Sequence, residues 1–183
     1  MKIFDMNFKE IFFSQIVSVA GGLIAGTVLA IYTEKILLIP SMLILLPGFL
    51  EMRANITAPL ASRLSSGLFL GVIHAKSNPT RTKIIQGNVI ASFVLSGIVS
   101  LLLGLIVFFV NYFFLQVYTP KLIVVVLFAG ILANAIEIPL TLFATFYLFK
   151  KGHDPNNIMG PFLTSSGDII SIISILLALV VVI

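Results

Sequence analysis

Three carboxylates stand inside long apolar stretches of this 183-residue chain: Glu51, Glu137 and Asp168. Asp168 is the most isolated of them. It is the one charge between Pro161 and Ile183, it follows Thr164-Ser165-Ser166-Gly167, and it precedes fifteen residues with nothing more polar than Ser171 and Ser174. A carboxylate buried that deep in a membrane costs about 2.5–3.5 kcal/mol on insertion scales. It therefore has to face a protein interior or a watery path, where it meets a cation, a proton or a buried base. Three- and four-residue spacing puts Thr164, Asp168 and Ser171 on one helix face. By the same arithmetic Gly130, Asn134, Glu137, Thr141 and Thr145 form a second stripe, and Glu51, Asn55, Ser62 and Ser66 a third. Carboxylate, amide and hydroxyl oxygens dominate all three, and hard cations such as Mg²⁺ and Ca²⁺ prefer such ligands.

Each stripe also has a plainer reading. Serine and threonine in membrane helices commonly bond their own backbone. Glu137 suits a buried ion pair with Arg53 or Arg63, and Glu51, two residues before Arg53, suits the cap of a half-helix. Asp168 has no basic residue in its own segment, which favours a functional role for it. His74 and His153 fall in loops and read as solvated side chains.

The elements that must position these groups follow from composition. The chain is 59% hydrophobic and 10% charged, with mean hydropathy +1.17, against roughly 25% charged residues in soluble domains. That composition describes an all-α integral membrane protein. Five apolar segments run over about 11–32, 36–70, 87–115, 121–149 and 160–183, forming a single transmembrane domain over 1–183. The second segment contains Pro40, Pro47-Gly48, Glu51, Arg53, Asn55, Thr57 and Pro59, so a broken or kinked helix is expected there. On the first segment, Ser14, Ser18, Gly22 and Gly26 form a small-residue ridge, with Gly22-x-x-x-Gly26 suited to close helix packing. The run reaches Ile31 without a small-residue cleavage signal and reads as a retained helix.

Charge sets the orientation. Lys2, Lys9, Lys76, Arg81, Lys83, Lys150 and Lys151 fall on one side of the alternation; Lys35 and Lys121 fall on the other. This asymmetry puts the N-terminus in the cytoplasm and the C-terminus outside, in a multi-pass protein of the plasma membrane. The basic residues sit mainly in loops, so the positive balance points to the membrane and not to nucleic acid. Cysteine is absent, which excludes disulfides and thiolate metal sites. No phosphate-binding glycine loop, H-E-x-x-H, nucleophile elbow or aspartate cluster is present, so no enzyme and no cofactor is expected. No internal repeat is found, and a symmetric pore would need a second copy.

Two runs of residues resemble a known family. Asp154-Pro155-Asn156-Asn157, then Gly160-Pro161-Phe162-Leu163-Thr164-Ser165-Ser166-Gly167-Asp168, is similar to the last-helix signature of MgtE-type magnesium transporters. It is most similar to the pattern of their eukaryotic solute-carrier relatives. Asn55 followed by Ala61-Ser62-Arg63-Leu64-Ser65 resembles the second helix of the same family. The resemblance implies an MgtE-like membrane domain assembled as a homodimer, with a divalent cation path between helices two and five. It implies Asp168 as the principal pore carboxylate, Thr164 lining the path, and Asn55 as the pore asparagine of helix two. Glu51 and Glu137 stand outside the family's metal-binding set and are candidates on physical grounds alone. About ten residues precede the first apolar segment, so the large cytosolic domains of the bacterial members are not expected. The bacterial G-N-x-G pattern is replaced by Arg53-Ala54-Asn55-Ile56.

The resulting expectation is transport of a divalent cation, Mg²⁺ foremost, through a pore at a homodimer interface. The same oxygens would serve Mn²⁺, Co²⁺ or Ca²⁺, or an exchange coupled to Na⁺ or H⁺. A non-transporting membrane subunit is the other reading, and it requires Glu137 and Asp168 each to touch an arginine or lysine.

Overall fold

A computed structural model describes residues 6–37, 41–75 and 82–182 of the chain. Lys2, Pro40, Lys76 and Arg81 lie outside the described residues, as does Ile183. The described elements are all helical: α1 (Met6–Ile31), α2 (Thr33–Leu37), α3 (Met42–Phe69), α4 (Lys83–Val110), α5 (Lys121–Lys150) and α6 (Pro155–Val182). The end of α4 widens into a π turn, Asn111–Leu115, and stops at Gln116, whose left-handed φ of 54° breaks the spiral. α1, α4 with its π turn, α5 and α6 are each long and apolar enough to cross a membrane. α3 is as long as α4, but it carries Glu51, Arg53, Asn55 and Arg63 and is less apolar than those four.

The expected break in the second segment is corrected by the structure. α3 runs unbroken from Met42 to Phe69 with Pro47 and Pro59 inside it. A proline removes one intrahelical hydrogen bond and crowds the carbonyl four residues back. Close packing on three neighbours keeps the spiral intact: α3 lies against α4, α5 and α6. The described helices of this segment are α2, which ends at Leu37, and α3, which starts at Met42.

Two apolar cores cap a polar middle layer. Near one end Met42, Leu45 and Phe49 of α3 pack with Leu122, Val125 and Ala129 of α5 and Ile175 of α6. Near the other, Leu60, Leu64 and Leu68 pack with Ile85, Ile138 and Phe146. Between them lie the buried polar groups Arg53, Thr57, Ser96, Ser100, Asn134, Glu137, Thr141 and Ser171. Arg53, Ser96, Glu137 and Asp168 all fall near the middle of their helices, so this layer sits at the bilayer midplane.

Small residues let α4 and α5 close on each other there. Ser92, Ser96, Ser100 and Gly104 recur every four residues on α4 and are all buried. Ser96 Oγ donates to the carbonyl of Gly130 at 3.2 Å and accepts from Asn134 Nδ2 at 2.8 Å. A Cβ on Gly130 would overlap Ser100 Oγ.

α1 is peripheral and packs mainly on α6. Its ridge is not the expected one. Gly22 and Gly26 face open space, whereas Ser14 and Ala25 are buried and Gly21 meets Ser165 of α6. An alternation of three- and four-residue steps tracks α6 more closely than a strict four-residue step. Glu10 near the start of α1 lies 2.8 Å from His153 Nδ1 and accepts from Asn157 Nδ2 at 3.1 Å, so α1 and α6 begin at the same end.

Gly130→Val is expected to destabilise the fold by about 1–3 kcal/mol through overpacking against Ser100. Thermal unfolding of the detergent-solubilised protein measures this, and an unchanged midpoint would contradict the close α4–α5 contact.

Candidate functional site

The site is organised by a guanidinium buried at mid-membrane. Arg53 of α3 is 1% exposed. Its Nη1 donates to Glu137 of α5 (3.0 Å to Oε1, 3.3 Å to Oε2) and to the carbonyl of Leu163 on α6 at 3.0 Å. Its Nη2 donates to Asp168 Oδ1, also at 3.0 Å. One arginine thus joins α3, α5 and α6. Such a charge is tolerated in a low-dielectric interior only because it is paired and hydrogen-bonded. The planar fork of an arginine suits this better than a lysine ammonium.

Local sequence makes room for the cluster. Gly167 precedes Asp168, and a Cβ there would overlap both the Arg53 guanidinium and the Glu137 carboxylate. Thr57 Oγ1 donates to the carbonyl of Arg53, and Thr141 Oγ1 to that of Glu137. The α6 helix that presents Gly167 and Asp168 is started by Asp154, whose carboxylate accepts the Asn156 amide at 2.9 Å with Pro155 at the first helical position. The Asp154-Pro155-Asn156 run is therefore a helix start.

The two carboxylates differ in access. Glu137 is fully buried, whereas the Asp168 side chain is 25% exposed. Asp168 opens towards a polar strip that runs along the outer faces of α3 and α6. On α3, Glu51, Asn55 and Ser62 are exposed at helical spacing, and Asn55 Nδ2 donates to Glu51 Oε1 at 3.2 Å. On α6, Asn156, Gly160 and Thr164 are exposed at four-residue steps that end at Asp168. Thr164 Oγ1 donates to the carbonyl of Gly160. Towards the start of α6 the two helices enclose a cavity of about 330 Å³ lined by Ala58, Ala61, Ser62, Asn156, Met159 and Gly160.

The structure thus brings Glu137 and Asp168 together on Arg53, and places Asn55, Glu51 and Thr164 on the exposed strip. Among the described residues, no three acidic or histidine side chains cluster into a ready-made metal centre. Of the two arginines considered as partners, Arg53 is the one used. Arg63 is exposed and reaches Asn88 Oδ1 at 3.5 Å. The stripe containing Glu137 faces inward throughout, with Asn134, Thr141 and Thr145 all buried. The serine ridge on α4 escaped the sequence reading, although its four-residue spacing from Ser92 to Gly104 was the available signal. The steric role of Gly167 left no periodic signal at all.

The family model for MgtE, described as a divalent cation transporter, matches residues 46–178, well over half of the chain. No curated protein and no solved structure matches. The matched span takes in Arg53, Glu137 and Asp168 together with the polar strip.

Arg53→Met strands Glu137 in the core and is expected to cost about 3–5 kcal/mol. Adding Glu137→Gln removes the stranded charge and is expected to restore most of that loss. Unfolding midpoints of the two variants check the pairing, and failure of the second change to rescue the first would contradict it.

Proposed function

The chain belongs to the MgtE family of divalent cation transporters, and from that premise we propose that it carries Mg²⁺ along the α3–α6 strip at the interface of a homodimer. It is a multi-pass membrane protein of a transporter family and not an enzyme. The observation that carries the reading is the strip itself. Glu51, Asn55 and Ser62 are exposed on α3, and Asn156 and Thr164 on the adjoining α6, one of the four helices long and apolar enough to cross a membrane. Charged and polar side chains facing lipid are costly, so the strip has to be covered by protein or hydrated. A second copy related by two-fold symmetry covers it with the same surface and doubles every ligand.

In this reading Asp168 is the main ion-binding carboxylate, because it alone of the clustered acids reaches the strip. Mg²⁺ gives up water reluctantly and keeps several waters when bound by one or two carboxylates. A site of two symmetry-related Asp168 side chains, with Thr164 and Asn55 nearby, suits a largely hydrated ion. Ser62, Asn156 and Gly160 form the approach from the cytoplasmic end, and Glu51 lies towards the external end. Glu137 acts through Arg53 and not by touching the ion. In this reading the excess of basic residues on one side of the alternation favours a cytoplasmic N-terminus in a protein of the plasma membrane.

One observation favours the non-transporting alternative: both carboxylates touch Arg53, as a static scaffold requires. Flux separates the two readings. In proteoliposomes, Asp168→Asn is expected to lower Mg²⁺ uptake at least about tenfold, the scale of losses when groups around a metal site are changed. Uptake equal to wild type would remove Asp168 from the path. Competition by Mn²⁺, Co²⁺ and Ca²⁺ in the same assay ranks the cations.

The absence of cysteine allows a direct test of the dimer. Ser62→Cys lies on the strip and is expected to yield disulfide-linked dimers in membranes. Val94→Cys, on the exposed apolar face of α4, is expected to stay monomeric. The reverse pattern would move the interface elsewhere.

A further inference from the structure

We infer that Arg53 is a tethered cation that holds Asp168 while the site is empty, and that an arriving divalent ion must compete with it. This inference rests on the Asp168 reading above and adds a residue that sets the affinity from inside the protein.

The asymmetry of the arginine's contacts carries the argument. Nη1 is anchored on two acceptors that never see the strip, the carboxylate of Glu137 and the carbonyl of Leu163. Nη2 holds Asp168 Oδ1, and this is the contact that lies partly open. The guanidinium can therefore loosen its grip on Asp168 without leaving its anchor. An ion on Asp168 would sit within a few ångströms of a fixed positive charge in a weakly screening interior. Coulomb repulsion at such range is worth several-fold to many-fold in affinity.

The charge count makes the exchange reasonable in both directions. Two carboxylates and one guanidinium leave the cluster with a formal charge of −1 per chain. With no ion present, Asp168 still has a partner, so the empty site avoids the full penalty of a naked carboxylate at membrane depth. With an ion present, Arg53 falls back on Glu137, whose charge is then no longer shared. Release is favoured because the displaced guanidinium is still next to Asp168 and reclaims it. A site built this way trades tight binding for rapid unloading, which is what transport needs.

Opposite shifts in two variants distinguish this role from a merely structural one. Binding is read as the Mg²⁺-dependent rise in unfolding temperature of the full chain in detergent, titrated with MgCl₂. Glu137→Gln removes the anchor charge and commits Arg53 to Asp168, so Mg²⁺ binding is expected to weaken about tenfold. Arg53→Met combined with Glu137→Gln leaves Asp168 without its competitor at unchanged formal charge. Binding is then expected to tighten about tenfold relative to wild type, with lower KM and slower maximal flux in proteoliposomes. If that double variant does not fold, Arg53→Gln combined with Glu137→Gln, which keeps the same formal charge with polar side chains, is titrated in its place.

Asp168→Asn is the control for the underlying reading. If it retains the full Mg²⁺-dependent stabilisation, Asp168 is not the site and that reading fails. If it loses the stabilisation while Glu137→Gln and the double variant bind as wild type does, the ion path stands and the tethered-cation inference is overturned. Weaker binding by the double variant would overturn it equally, because Arg53 would then hold Asp168 in place for the ion.

Discussion

A single guanidinium at the middle of the membrane constrains everything around it. Arg53 is buried among α3, α5 and α6, and each of those helices supplies something to it: its own side chain, Glu137, and Asp168 with the Leu163 carbonyl. An uncompensated charge at that depth would not be tolerated. The three helices therefore have to converge at one level and at one rotation. Gly167 is the clearest mark of that demand, since any side chain there would occupy the space of the ion pair. The mid-helix positions of Arg53, Glu137 and Asp168 then fix the relative heights of the three helices.

The layering follows from the same constraint. Apolar clusters at both ends hold the helices together without polar help. In a bilayer, however, association between helices cannot rely on exclusion from water, because lipid is as apolar as leucine. Close backbone approach and interhelical hydrogen bonds contribute instead. The α4–α5 contact supplies both, through Ser96, Asn134, Gly130 and Ser100. The polar middle layer thus stabilises the bundle as well as framing the carboxylates. It also explains why α3, the least apolar of the long helices, is central: its buried Arg53 and Thr57 find partners inside the protein.

Much of this was legible in the residues. The order of the four long apolar helices matches the hydropathy pattern, whereas α1, α4 and α6 start four or five residues earlier than expected, α6 because Asp154-Pro155 starts it. That Thr164 and Asp168 share one helix face, and Glu51 and Asn55 another, follows from helical spacing. What spacing could not supply was the direction each stripe faces. Arg53 and Arg63 lie on the same helix with nothing local to separate them, and only packing buries one and exposes the other. Glu137 and Asp168 looked alike as isolated acids, yet one is sealed and the other open. The prolines of α3 misled for a related reason. Their local cost is real, but neighbours on three sides outweigh it.

A strip of neutral oxygens alone would hold a hydrated divalent ion weakly, because each amide or hydroxyl only replaces water. A pair of unopposed carboxylates would hold it too long and would be costly when empty. The cluster lies between these extremes: it carries excess negative charge, but it presents that charge through one carboxylate already engaged with Arg53. Glu137 is fully buried and does not reach the strip. In the proposed reading the attraction felt by an ion is set by the whole cluster, whereas the contact is made by Asp168. Separating the two allows the depth of the site to be tuned by residues the ion never touches.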